Sequence, residues 1–252
     1  MCTVSYIPLK NGAIFTSNRD EKIDRGIARY PKFFLLNNQK LVFPTDNKAG
    51  GTWFISHENG NTGILLNGAF SKHICNPPYN KSRGVILVDI FQSISPLTAM
   101  QNYDLKGIEN FTILLMEGGH LWELNWDGIT LYQKKHDATK PHIWSSVTLY
   151  NEKMILERKS WFIDWLKQQT IISQFSILYF HLHTHQYNKE YGLRIFRDNQ
   201  IVTSSVTSLC IENKLATLYY KDLIRNIESK LDYPLTFVPY ISSTLMTESE
   251  ID

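Results

Sequence analysis

The sequence lacks an excess of charge of either sign. Its 26 Lys and Arg stand against 24 Asp and Glu, a net charge of +2 over 252 residues, with no run of five like charges. The electrostatic footprint that a nucleic acid or an anionic membrane surface demands is therefore missing, and neither is expected as a partner. A long apolar run is missing too: nothing approaches about 18 uninterrupted apolar residues. The opening MCTVSYIPLK has no basic segment followed by an apolar core. A cytoplasmic chain with no stable membrane insertion is the expectation. Cysteine is scarce. Three of them, at 2, 75 and 210, are odd in number and widely spaced, which fits neither a disulfide framework nor a CxxC metal site. No metal site is read from the sequence. No linker rich in Pro, Gly or Ser divides the chain, so one domain over 1–252 is expected, with roughly the last ten residues as a tail.

What is present is core material: 43% of residues are hydrophobic, including 13 Phe, 13 Tyr and 6 Trp. Most of these aromatics are read as core or amphipathic-helix packing. The chain begins with extended segments at 2–10 and 13–21 around Asn11-Gly12, a dipeptide that favours two-residue hairpin turns because both positions take positive φ. In that register Lys10 pairs with Ala13, Cys2 faces Glu21 and Val4 faces Arg19. Alternation then puts Cys2, Val4, Arg19 and Glu21 on one face and Thr3 and Asp20 on the other, unless a bulge re-aims Asp20.

A second hairpin is read over 50–55 and 62–67 about Asn59-Gly60, with Thr52 opposite Asn67. A meander follows over 111–117, 120–126 and 129–133, and a last strand pair over 200–210 and 214–220. Helical patterns lie at 83–92, from Ser95-Pro96 onward, over 151–168, over 173–187 and after Asp222. Strand groups interleaved with helix groups, without a βαβ rhythm, give an α+β fold with antiparallel sheets.

Cys2 is the residue with chemistry. Removal of the initiator Met, expected before a small residue, would give one residue both a nucleophile and a base. The α-amine, of pKa about 7.7–8.0, can accept the proton of a thiol of pKa about 8.5. A nearby cation such as Arg19 lowers the thiol further.

Met1-Cys2, Asn18-Arg19-Asp20-Glu21, Gly50-Gly51-Thr52-Trp53, Leu66-Asn67, Leu121-Trp122-Glu123 through Gly128, the segment from Ser145 to Tyr150, and Tyr191-Gly192-Leu193-Arg194 occur in order over about 220 residues. In this the chain resembles the NRDE family, also called the transport and Golgi organisation protein 2 family. The resemblance implies the fold of the N-terminal nucleophile hydrolases, a four-layer αββα sandwich of two antiparallel sheets between helical layers.

It also implies roles. Cys2 is the nucleophile that attacks a small non-peptide amide and forms an acyl-enzyme, and Arg19 stabilises its thiolate. Asp20 holds the α-ammonium or Arg19, and Asn67 donates to the oxyanion. Ser145 or Ser146 falls where related acylases place a second oxyanion Asn. Arg158 matches a distant active-site Arg, against its plainer reading as a surface ion pair. Leu193 departs from the family's Gly-Thr-Arg pattern and so weakens any substrate contact there.

A second implied reading, from a different class, is a non-catalytic intracellular carrier that binds haem or another small molecule, with Cys2 or a histidine as ligand. His181, His183 and His185 share a face only on a strand. On a helix, which 173–187 resembles at least as well, they fan apart, and His57, His73 and His120 have no partner the sequence can name. Cys75 reads as a loop residue and Cys210 as a strand-core residue.

Overall fold

The computed structural model describes residues 2–236, residue 2 by its backbone alone. The expected tail and the fate of Met1 lie outside the described residues. Two seven-stranded antiparallel sheets are stacked face to face. The first contains β1 (Cys2–Leu9), β2 (Gly12–Lys22), β10 (His142–Ser145), β11 (Phe196–Arg197), β12 (Ile201–Glu212), β13 (Leu215–Asp222) and β14 (Ile227–Pro234). Its order is β10-β1-β2-β12-β13-β14, with β11 on β12.

The second sheet is a plain meander of β3 (Arg29–Leu36), β4 (Gln39–Thr45), β5 (Phe54–His57), β6 (Thr62–Asn67), β7 (Phe111–Glu117), β8 (His120–Trp126) and β9 (Leu131–His136). Helices α1 (Arg83–Phe91) and α2 (Pro96–Gln101) cover the meander, while α3 (Glu152–Lys167) and α4 (Gln174–His183) cover the first sheet. This is the four-layer α+β sandwich expected.

The helix starts follow their capping chemistry. Ser95 accepts from the Thr98 backbone N–H with Pro96 in the first turn, Asn151 accepts from Met154, and Ser173 and Ser176 form a reciprocal box. Among the described residues no helix follows Asp222. Its carboxylate accepts from the backbone N–H groups of Ile224 and Arg225, and Asn226 takes φ 54°, so the chain reverses tightly into β14 instead.

Both predicted hairpins form, each in a shifted register. Cys2 pairs with Arg19 and Leu9 with Gly12, so the turn is Lys10-Asn11 and the register moves by two residues. Neither Asn11 nor Gly12 has positive φ. Gly12 is needed for a different reason: a Cβ there would lie 1.8 Å from the Ile211 carbonyl oxygen of the adjacent β12. Close strand packing, not turn geometry, places this glycine. A shift of two preserves face parity, so Arg19 remains on the face of Val4, and Asp20 on the face of Thr3.

In the second hairpin Ser56 pairs with Thr62 across a five-residue loop, a shift of one. Thr52 is not paired with Asn67. Its hydroxyl donates to the Pro44 carbonyl, and it accepts from the Phe54 N–H, closing the turn that enters β5.

The alternation along β1 and β2 divides two interiors. Val4, Tyr6, Ala13 and Phe15 enter the main core between the sheets. Ile7 and Ile14 pack with Phe162, Ile177, Phe180 and Leu193 beneath α3 and α4. Gly12→Ala should therefore cost about 1–3 kcal/mol by overpacking against β12. Asn11→Ala, in a turn that asks for no positive φ, should change stability far less. Urea denaturation of the two variants checks this, and the reverse order would restore the Asn11-Gly12 turn.

Candidate active site

The end of β2, the turn that enters β5 and the end of β6 enclose a cleft of about 350 Å³. Arg19 lines it beside Glu21, Asp46, Trp53 and Asn67. Only 4% exposed, Arg19 is held from every side. It donates to Asp46 Oδ2 at 2.5 Å and to Ser204 Oγ at 3.2 Å, lies 3.6 Å from Glu21, and stacks 4.5 Å over the Trp53 ring.

Ser204 reaches Arg19 because β12 bulges between Thr203 and Ser205 where it pairs with β2. Burial pushes the Asp46 carboxyl up, but the Ala49 N–H and the guanidinium groups of Arg25 and Arg19 outweigh it and hold Asp46 below the usual carboxylate range. The Trp53 indole N–H is buried with no partner among the described residues.

Asn67 ends β6 in the meander and is fastened to the opposite sheet. Ser146 donates its hydroxyl to the Asn67 carbonyl at 2.8 Å, one residue beyond Ser145, which pairs with Thr3 of β1. The next residue, Gly68, sits at φ +81° against Val147 and Thr148, where a Cβ would lie 2.7 Å from the Thr148 methyl. Asn67 is thereby carried to the head of β1, and its side-chain amide bonds no other described residue. Ser146, expected as an oxyanion donor, has its proton engaged by the Asn67 carbonyl and acts as a strut between the sheets.

Of the two roles expected for Asp20, the one toward Arg19 is corrected. Asp20 does not turn to Arg19, because the bulge lies in β12 and leaves β2 regular. On the opposite face it accepts from Tyr150 Oη and Thr203 Oγ1, both at 2.6 Å. Burial raises its carboxyl above the usual range, against the pull of Arg158, Thr203 and Tyr150.

Arg158 is not a surface ion pair. It is the most deeply buried residue of α3, donating to Thr3 Oγ1, to the Gly192 carbonyl at 2.6 Å and to the Tyr191 carbonyl, with its guanidinium 3.5 Å over the Tyr150 ring. Tyr150, Tyr191 and Gly192, from two of the motifs read in the sequence, thus converge on one buried cation. Leu193 fills the core beneath the helices and presents its carbonyl to Asn18 at 2.6 Å, away from the cleft.

The three histidines separate. His183 bonds Gln186 and His185 stacks on Trp161, whereas His181 is fully buried between Ser5 Oγ and Asn18 Oδ1. Burial, then the Arg158 charge, lowers the His181 pKa to about 3. Among the described residues one cluster has metal-ligand character: His73, Cys75 and Glu109 at the rim of the cleft. The sequence signalled it only as His-x-Cys in one loop, with its third member more than thirty residues on.

The family model described as Transport and Golgi organisation 2 matches residues 1–231. Among solved structures, a mutant of the conjugated bile acid hydrolase from Clostridium perfringens superposes with a TM-score of 0.51 at 10% identity, covering 98% of this chain and 100% of that one. An N-acylethanolamine-hydrolyzing acid amidase ortholog from Caenorhabditis elegans gives a TM-score of 0.55 at 11% identity, covering 82% of this chain and 92% of the other. Comparison with curated protein sequences finds no match. The fold is that of the N-terminal nucleophile hydrolases.

Two predictions test the buried network. The unfolded chain binds a proton at His181 below about pH 6.5 and the folded one does not until about pH 3. Stability is therefore full above 6.5 and falls as pH drops, by about 1.4 kcal/mol per unit from this group. Chemical denaturation across pH should show this acid slope, and His181→Gln should flatten it by one proton. Arg158→Ala strands the Tyr150–Asp20 pair beside an empty cationic site, so a loss of about 3–5 kcal/mol in unfolding free energy is expected.

Proposed function

With the chain belonging to the Transport and Golgi organisation 2 family, we propose that it is an N-terminal-cysteine hydrolase that cleaves a small non-peptide amide through an acyl-enzyme on Cys2. The observation that carries this reading is the β1–β2 register. Cys2 heads β1 directly opposite Arg19, a buried cation that lines the cleft. The two solved neighbours are named for hydrolysis of conjugated bile acids and of N-acylethanolamines, which supports an amide of a small molecule as the substrate class.

In the proposed reaction the α-amine freed by removal of Met1 takes the Cys2 thiol proton, and the sulfur attacks the amide carbonyl carbon. The carbonyl oxygen becomes an oxyanion that the Asn67 side-chain amide receives. Collapse of the intermediate breaks the C–N bond, and the ammonium returns its proton to the departing amine. Water, deprotonated by the same amine, then cleaves the thioester. Arg19 is the electrostatic partner of the thiolate. Arg158 is a positioning residue, acting through Thr3 on the strand that bears the nucleophile, and Asp20 anchors the end of β2 through Tyr150 and Thr203.

Intact-mass measurement should show the chain short of one methionine. An electrophilic acyl probe should label Cys2, and labelling should be lost in Cys2→Ser or Arg19→Ala. Once a substrate is turned over, Asn67→Ala should lower kcat by about 10²–10³ with little change in KM. A retained Met1 together with an inert Cys2 thiol would sink the reading.

A further inference from the structure

We propose that His73, Cys75 and Glu109 form a zinc-binding site at the mouth of the cleft. The site stands independently of the hydrolase reading. His73 and Cys75 lie in the connection between β6 and α1, and Glu109 lies two residues before β7. The two connections are stapled together: the Asn80 backbone N–H donates to the Gly107 carbonyl at 2.9 Å and its side-chain amide to the Lys106 carbonyl at 2.9 Å. The ligands are therefore mounted on a fixed frame.

The ligand atoms of the three residues lie within 4.8 Å of one another. Cys75 Sγ is 3.2 Å and His73 Nε2 3.3 Å from Glu109 Oε1. A tetrahedral zinc ion with bonds of about 2.0–2.3 Å sets its ligands about 3.3–3.7 Å apart, a spacing the two distances to Glu109 already approach. One nitrogen, one thiolate sulfur and one carboxylate oxygen is a zinc-type donor set, and three protein ligands leave a fourth position open. Cys75 and Glu109 both line the cleft that holds Arg19, so that position faces the cleft.

The surroundings complete the case. Arg83 pairs with Glu109 Oε2 at 3.0 Å, which orients the carboxylate and leaves Oε1 turned to the other two residues. His73 has its Nε2 on Glu109, and its Nδ1 is buried with no partner among the described residues. On binding, the Cys75 S–H bond to Glu109 is exchanged for an S–Zn bond and one proton leaves to solvent.

The test is titration of the full chain with Zn²⁺ against a colorimetric chelator, repeated with Co²⁺ to detect a thiolate-to-metal charge-transfer band. One equivalent should bind and the band should appear. Cys75→Ser should abolish the band, and Cys75→Ser and His73→Ala should each weaken affinity at least about tenfold, the smallest loss that even an outer-shell change produces. Circular dichroism verifies that each variant is folded. Cys210→Ser and Cys2→Ala should bind as the parent does, the latter separating this site from chelation by a free N-terminal cysteine. Undiminished affinity in Cys75→Ser, binding lost with Cys2, or no stoichiometric binding would each overturn the proposal.

Discussion

The structure depends on the strict alternation of side chains along β2. Every residue from Gly12 to Asp20 is buried, so each face must answer to its own interior. Ala13, Phe15, Ser17 and Arg19 face the meander, and Ile14, Thr16, Asn18 and Asp20 face the helices. Adjacent residues Arg19 and Asp20 carry opposite charges into separate compartments, and neither neutralises the other. Each compartment therefore supplies its own partner, Asp46 for Arg19 and the Arg158–Tyr150 pair for Asp20. A one-residue slip would exchange these charges between compartments and leave both buried without compensation, so the charges themselves enforce the register.

The same constraint explains why α3 seats itself with an arginine. A buried ion pair is seldom a net source of stability, because desolvation offsets much of the attraction. Here the guanidinium is satisfied mainly by backbone carbonyls of Tyr191 and Gly192 and by the Thr3 hydroxyl. It ties α3, the 191–192 segment and β1 at one point. A leucine would fill the space but make none of those bonds, and Tyr150 would lose the cation stacked on its ring. The gain is positional rather than energetic.

Local chemistry made much of this legible: Ser95-Pro96, Asn151 and Ser173 mark helix starts. Register was less legible, because Asn11-Gly12 carries a turn signal that a distant strand overrides. Gly12 is small on account of Ile211, a neighbour about 200 residues away that no local window contains. Because the shift is even, the alternation still puts Arg19 and Asp20 on their observed faces. The burial of Arg158 is hard to read for a related reason. Helical periodicity grades residues by polarity, and a cation whose partners are carbonyls from another part of the chain looks like a surface residue. The His73, Cys75 and Glu109 cluster was hidden because its members meet only through the Asn80–Gly107 staple.

On the proposed reading, the charge balance around Arg19 bears on how a thiolate could be stabilised. Arg19 and Arg25 share Asp46, and Glu21 lies 3.6 Å from Arg19, so two cations face two anions. At an effective dielectric of about 20, a unit charge at 4 Å is worth about 4 kcal/mol, but the opposing contributions of such a cluster largely cancel. The group therefore acts on a thiolate with less than the full charge of a lone guanidinium. What the arrangement supplies is a cation whose rotamer is locked by an ion pair, a hydroxyl and an indole face before any substrate arrives. Activation would then rest on the α-amine as base, with Arg19 fixing orientation at no further conformational cost. The removal of Met1 is thus the step on which the chemistry of the cleft turns, because the amine it releases is the one group whose proton affinity matches that of the thiol.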